Sequence, residues 1–271
     1  MRIVGGKQKL AKRINAVVTR GRKEGQTYVE PFLGAGSTFM LARNPRIGGD
    51  GNLFLMAMLA AVRDGWTPPE KCLSKKEWLE VKELALTCKA GWFPPLEQFI
   101  VRGRGFAISP LVAEGLPLMG FCAHSVSFGA RFFDSYFGNK IRGDRDYWKE
   151  ACNALKRQAP MLKGAEIYRS DYKQLYFPQR SIIYCDPPYS DFYYNKYYKR
   201  SQCGQSPTFS HSEFLDWACE QKQAGHEVYV SAYEINDPRF EMVASFEGRN
   251  VNLNINQTKR VVEKIFAVRD A

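Results

Sequence analysis

The sequence predicts an α/β fold in which a mainly parallel sheet is interrupted by a mainly helical insert. Three observations predict it. A buried-strand pattern at 27–30 runs into a glycine loop and a helical stretch, the punctuation of a strand–turn–helix unit. Strand and helix patterns alternate again from 165 onward. Between them, residues 66–164 show short helical pieces separated by loops rich in Gly, Pro, Phe and Arg, with no alternation.

Residues 7–20 place Leu10, Ile14 and Val17 on one helical face and basic residues around the rest. Residues 27–30 read as a buried strand, 31–38 as the glycine loop and 39–43 as the helix after it. Arg46 to Asp50 is a second short strand and 52–63 a helix, which Gly65-Trp66-Thr67-Pro68-Pro69 ends. In the insert, 75–86 and 147–158 read as helices. Strands follow at 165–168, 181–185 and 227–232, with a helix at 212–224. Two further strands, at 250–255 and 261–268, suit an antiparallel end to the sheet. The expected division is 1–65 with 165–271 as one domain and 66–164 as the insert.

With 271 residues, 45% of them hydrophobic, the chain is long enough to bury a substantial core. The longest apolar run, 53–62, is too short to span a bilayer, and the first residues lack the apolar stretch of a signal peptide, so a soluble, intracellular protein is expected. Seven cysteines, with no Cys-x-x-Cys and no neighbouring His cluster, support neither a disulfide framework nor a zinc site. His124, His211 and His226 are scattered and read as surface or satisfied core residues. The net charge of +11 favours a polyanionic partner through counterion release. Residues 1–25 hold eight Lys or Arg against Glu24 alone, a pattern that a solvated helix face explains equally well.

Gly34 and Gly36 let the backbone approach a ligand closely, and Asp50 stands about twenty residues past the first strand, where an acid in such units meets ribose hydroxyls. A nucleoside-containing cofactor follows. The loop lacks Gly-Lys-Ser/Thr, which disfavours nucleotide hydrolysis. Asp186-Pro187-Pro188-Tyr189 follows an apolar strand directly, at the edge where open α/β sheets bind ligands. Successive prolines fix φ near about −65° and donate no N–H, so the segment is rigid and offers its carbonyls. A carboxylate, a fixed carbonyl and an aromatic ring form a receptor for a planar amine: Asp186 and the Pro187 carbonyl accept the amino hydrogens, Pro188 stiffens the turn and Tyr189 stacks on the base. Cys185 reads as the buried end of the strand.

These motifs, in this order, resemble the Dam-type (alpha-class, D12-like) DNA adenine-N6 methyltransferases. The family's Gly-Gly-Lys is Gly5-Gly6-Lys7, its Pro-Phe-x-Gly-x-Gly is Pro31-Phe32-Leu33-Gly34-Ala35-Gly36, its Asp-x-Asn is Asp50-Gly51-Asn52, and its catalytic tetrapeptide is Asp186 to Tyr189. The resemblance covers roughly 1–62 and 165–268. It implies a Rossmann-like methyltransferase core with a target-recognition insert, S-adenosylmethionine as cofactor, and double-stranded DNA as partner. It gives Lys7 and Glu30 to the methionine portion of the cofactor, Asp50 to the ribose and Asp171 to the adenine, with Phe32, Gly34, Gly36 and Ser37 completing the cofactor loop and Phe209 lining the pocket of the target base. Two positions depart from the family pattern: Ile3 replaces an aromatic residue, and Ser231-Ala232 replaces a Ser-Asn pair, so that segment is assigned no role.

A base in a duplex cannot reach such a pocket without being flipped out. In the insert, Arg102-Gly103-Arg104-Gly105 and 128–140 mix basic and aromatic residues, which suits phosphate contacts and an aromatic wedge; Arg104, Arg131 and Lys140 are the candidate DNA contacts. C5-cytosine chemistry needs a cysteine nucleophile, usually in Pro-Cys, and no Pro-Cys occurs. N4-cytosine methylation shares the amine-receptor logic, although Ser is commoner than Asp at the first motif position in that class. RNA or protein-amide methylation, and a DNA-binding relative without catalysis, are the other readings. One site per chain needs no obligate protein partner, and a bacterial cytoplasm or phage-infected host is the expected setting. A restriction-modification role is compatible with all of this, and no target sequence is legible.

Overall fold

A computed structural model of the chain describes residues 7–89, 115–127, 132–136, 145–188, 209–249 and 260–270. Among these residues seven strands form one sheet: β1 (Tyr28–Glu30), β2 (Arg46–Asp50), β3 (Glu166–Arg169), β4 (Ile182–Cys185), β5 (Glu227–Ala232), β6 (Phe240–Arg249) and β7 (Arg260–Val268). Their order is β3-β2-β1-β4-β5-β7-β6. The first five are parallel, with Tyr28 opposite Arg46 on one side and Ile182 on the other, while β7 pairs antiparallel with both β5 and β6. The chain reverses its direction of travel across the sheet between β1 and β4, the position at which open α/β sheets bind ligands.

Both faces of the sheet are covered. Successive side chains of a strand point to opposite faces. In β4, Ile182 and Tyr184 accordingly join one hydrophobic cluster, and Ile183 and Cys185 join another with Phe214, Trp217 and Val230. All four are buried, which is why this stretch reads as a continuous apolar run rather than an alternating one.

Among the described residues, six α-helices accompany the sheet: α1 (Ala11–Val18), α2 (Leu53–Arg63), α3 (Lys75–Lys89), α4 (Leu116–Gly120), α5 (Tyr147–Leu162) and α6 (His211–Gln223). Local chemistry starts several of them. Asn52, Asp146 and Ser210 cap α2, α5 and α6 by accepting from Leu55, Lys149 and Glu213 N–H. Ser74 and Glu77 form a reciprocal capping box before α3, at 2.6 and 3.2 Å. α2 is buried almost all round, with Phe54, Met58 and Leu59 fully enclosed. α4 presses on it, continues as a π-turn through Phe121–Ser125, and belongs to the same hydrophobic cluster as Ile14, Tyr28, Trp78 and Trp148.

Three local expectations change. The helix expected at 7–20 is confined to Ala11–Val18, preceded by a turn in which Leu10 and Ala11 N–H both bond the Lys7 carbonyl at 2.8 Å. The helix expected at 39–43 is one 3₁₀ turn, Phe39–Leu41. Pro45 blocks its continuation, and the buried Arg46 takes the Phe39 and Ala42 carbonyls at 2.8 and 2.7 Å and the Met161 carbonyl at the end of α5. On the side of β7 away from β5, the strand in the described residues is β6, which the alternation pattern missed: it is an edge strand with a register shift between Met242 and Ala244 and with Met242 and Val243 exposed. The strand expected at 250–255 lies outside the described residues.

Candidate active site

The parallel strands end on one side of the sheet, and their C-terminal ends carry acids. β1 ends at Glu30, β2 at Asp50, the turn after β3 opens with Ser170 and Asp171, and β4 runs into Asp186. The glycine loop after β1 is shaped by positive φ at Gly34 (49°) and Gly36 (65°), a conformation that costs glycine little and a residue with a Cβ considerably more.

Asp50 joins this loop to β2. Its Oδ2 accepts from Gly34 N–H and its Oδ1 from Asn52 N–H, each at 2.9 Å. Burial raises its pKa against the pull of these two bonds. A carboxylate offers about four lone-pair sites, so two remain compatible with a pair of hydroxyls.

Glu30 is 2% exposed. The Tyr28 hydroxyl donates to its Oε1 at 2.6 Å. Burial pushes its carboxyl up to about 8, opposed by hydrogen bonds from Tyr28 and Thr38 and reinforced by the charge of Asp186. A cation placed beside this buried acid would favour its ionised form and lower its pKa again.

Asp186 is held by Lys7, whose Nζ lies 3.0 Å from Oδ1. The same ammonium lies 3.4 Å from Glu263 Oε2 on β7, and Glu263 Oε1 accepts from the Ser231 hydroxyl of β5. Burial opposes the charge on Lys7, but Asp186 and Glu263 together outweigh it and raise its pKa. Chain positions 7, 186, 231 and 263 thus converge on one spot.

An aromatic cluster adjoins the site. Phe32 stacks on Tyr172 at 5.1 Å between centroids and meets Phe214 and Phe209 edge-on at 5.5 and 5.9 Å. The ring of Phe32 is therefore engaged in this cluster, as is that of Phe209, which also contacts His211 at 5.0 Å. Ser37 is half-buried between Gly36 and the 3₁₀ turn, and Asp171 is exposed, its Oδ1 accepting from Lys173 N–H at 2.9 Å. Pro187 and Pro188 continue directly from β4. Tyr189, Gly5, Gly6, Ile3, Arg104, Arg131 and Lys140 lie outside the described residues.

Sequence reasoning missed Glu263 and Ser231. The signal available was an acid within an otherwise apolar strand pattern, Val261-Val262-Glu263-Lys264-Ile265-Phe266, which alternation alone assigns to a solvated face. Other residues have plainly structural partners. Cys185 is fully buried, and the His226 ring accepts from Ser181 N–H at 3.1 Å, with burial lowering its pKa. His124 meets Asn52 Nδ2 at 3.2 Å. Of the N-terminal cations, Arg22 bonds the carbonyls of Gln26, Arg43 and Pro45, and Arg13 covers the Phe246 ring at 4.6 Å, while Lys9, Lys12, Arg20 and Lys23 are exposed.

Residues 4–82 match the family model described as D12 class N6 adenine-specific DNA methyltransferase. Over these residues the chain is similar to the D12 class N6 adenine-specific DNA methyltransferases. The match takes in Lys7, the glycine loop and Asp50, while Asp186 lies beyond it. Methyltransferases of this class use S-adenosylmethionine as methyl donor and act on DNA. The donor set fits that cofactor: the Glu30 carboxyl at the end of β1 offers oxygen acceptors to its ammonium, whose charge would offset the burial that raises the carboxyl's pKa, and Asp50 has lone pairs to spare for its ribose. No curated protein matches the chain. Among the described residues, no helix is long and apolar enough to cross a membrane, and no cluster of His, Cys, Asp and Glu could hold a metal ion.

Proposed function

We propose that the chain is a D12 class methyltransferase that acts on double-stranded DNA, methylating N6 of an adenine flipped out of the duplex, with Asp186 as the residue that receives the amine. The observation that carries this reading is the placement of Asp186 and its two prolines at the end of β4, across the topological switch from the glycine loop, with the Lys7 ammonium at 3.0 Å.

Asp186 and the Pro187 carbonyl accept the two amino hydrogens and draw the nitrogen lone pair out of conjugation with the ring. Pro188 keeps the turn stiff, Tyr189 stacks on the base and Phe209 borders its pocket. Glu30 and Lys7 hold the methionine end of the cofactor, Asp50 its ribose and Asp171 its adenine, and the Gly34–Ser37 backbone lies along it with Phe32 behind. When bound, S-adenosylmethionine supplies a methyl group on a sulfonium. The protein's contribution is alignment and exclusion of water, which can account for a large share of the acceleration. Residues 66–164 form the recognition insert on a core of 1–65 and 165–271, with Arg104, Arg131 and Lys140 on phosphates. The enzyme works in the cytoplasm without an obligate protein partner.

The test is transfer of labelled methyl from S-adenosylmethionine to unmethylated duplex DNA, followed by nucleoside analysis, beside an Asp186→Ala control. N6-methyladenine is expected, with a loss of about a thousandfold or more in the control, the scale on which removing one transition-state contact acts. N4-methylcytosine as product would overturn the base assignment, and full activity of the control would overturn the role of Asp186.

A further inference from the structure

β7 is wedged between β5 and β6, and its residues Ile265, Phe266 and Val268 are buried apolar side chains. Glu263 on the same strand is only 6% exposed. Burying a carboxylate costs several kcal/mol unless it is paired and hydrogen-bonded. Here it is both: the Ser231 hydroxyl, itself wholly buried, donates to one oxygen, and the Lys7 ammonium faces the other at 3.4 Å.

We infer that Glu263, fixed by Ser231, is a positioning residue that shares the Lys7 ammonium with Asp186. The inference rests on the reading of Asp186 as the amine acceptor. Lys7 lies 3.0 Å from Asp186 and 3.4 Å from Glu263, so one positive charge serves two carboxylates. The arrangement does two things. It steers Lys7, at the first turn before α1, to one side of Asp186. It also divides the Lys7 charge between two carboxylates, so that Lys7 neutralises Asp186 less completely and Asp186 remains a strong acceptor for amino hydrogens. Were Asp186 the sole partner of Lys7, its charge would be more fully neutralised and its hold on the substrate amine weaker. The raised pKa of Lys7 despite its burial accords with two carboxylates acting on it.

Two measurements test this on the full chain. The first is a double-mutant cycle in urea unfolding with Lys7→Met, Glu263→Gln and the pair. The expected result is non-additivity of about tenfold in the unfolding constant, whereas additive effects would overturn the contact. The second is steady-state methyl transfer. Glu263→Gln is expected to lower kcat about tenfold while KM for S-adenosylmethionine moves less than about threefold. Glu263→Asp should recover part of kcat, and Ser231→Ala should show a smaller loss in the same direction. Unchanged kcat in folded Glu263→Gln, with the unfolding cycle still coupled, would reduce Glu263 to a structural tie and overturn the positioning role. If the unaltered enzyme transferred no methyl group, the reading of Asp186 would fail instead, and the unfolding cycle would still decide whether the Lys7–Glu263 contact exists.

Discussion

Glu30 is the residue whose behaviour depends most on its surroundings. Enclosed at the end of β1, its carboxyl is pushed up to about 8, chiefly by burial. An unfolded glutamate titrates near about 4.3, so between that pH and about 8 the folded protein binds a proton that the unfolded chain has released. The contribution of Glu30 to stability is therefore full below the unfolded pKa and is lost as pH rises through about 8. Glu30→Gln should flatten the decline in unfolding free energy between pH 5 and 9, read by urea titrations at several pH values. A difference between the two proteins that stayed constant over that range would contradict the buried, protonated state. Lys7 shows the opposite balance: two carboxylates keep it charged despite its burial.

At the scale of elements, the contact between α2 and α4 is set by a missing side chain. A Cβ on Gly120 would stand 2.2 Å from the Phe54 carbonyl oxygen and 2.9 Å from Met58 Cβ. The first of these is backbone inside a buried helix, which cannot swing aside as a side-chain end could. Gly120→Ala should therefore destabilise the protein by about 2–3 kcal/mol, the upper part of the range for overpacking, despite alanine's better helix propensity. Chemical denaturation checks this, and an unchanged or raised midpoint would show that α4 moves off α2 at little cost. The 3₁₀ turn after the glycine loop makes a related point. Its carbonyls are satisfied by Arg46 from the neighbouring strand, so the segment has no need to continue as a helix.

For the molecule as a whole, one hydrophobic cluster joins both sides of the proposed division. Ile14, Tyr28 and Phe54 share it with Trp78, Phe121, Trp148 and Leu155. A shared core loses its burial all at once, so tryptophan fluorescence and far-UV circular dichroism should report coincident urea transitions. Trp78 and Trp148 report on this core, and Trp217 on the cluster across the sheet. Separated transitions would mean that residues 66–164 fold as an independent unit.

The α/β class, β2, β5, the body of α2 and the placement of Asp186 at the end of a buried strand were legible in the sequence. Each rests on local chemistry: an apolar run, a glycine turn, a capping side chain or a pair of prolines acts within a few residues of where it appears. The convergence of Lys7, Asp186, Ser231 and Glu263 was not legible, because an acid in a strand reads as solvent-facing until the cation 256 positions away is known to sit opposite it. β6 escaped for a similar reason, since an exposed edge with a register shift keeps no regular alternation. Sequence by itself determined the kind of sheet and the glycine-loop and Asp-Pro-Pro-Tyr motifs, whereas the pairing of buried charges was decided only by the tertiary structure, because that pairing depends on which strand ends the sheet order brings together.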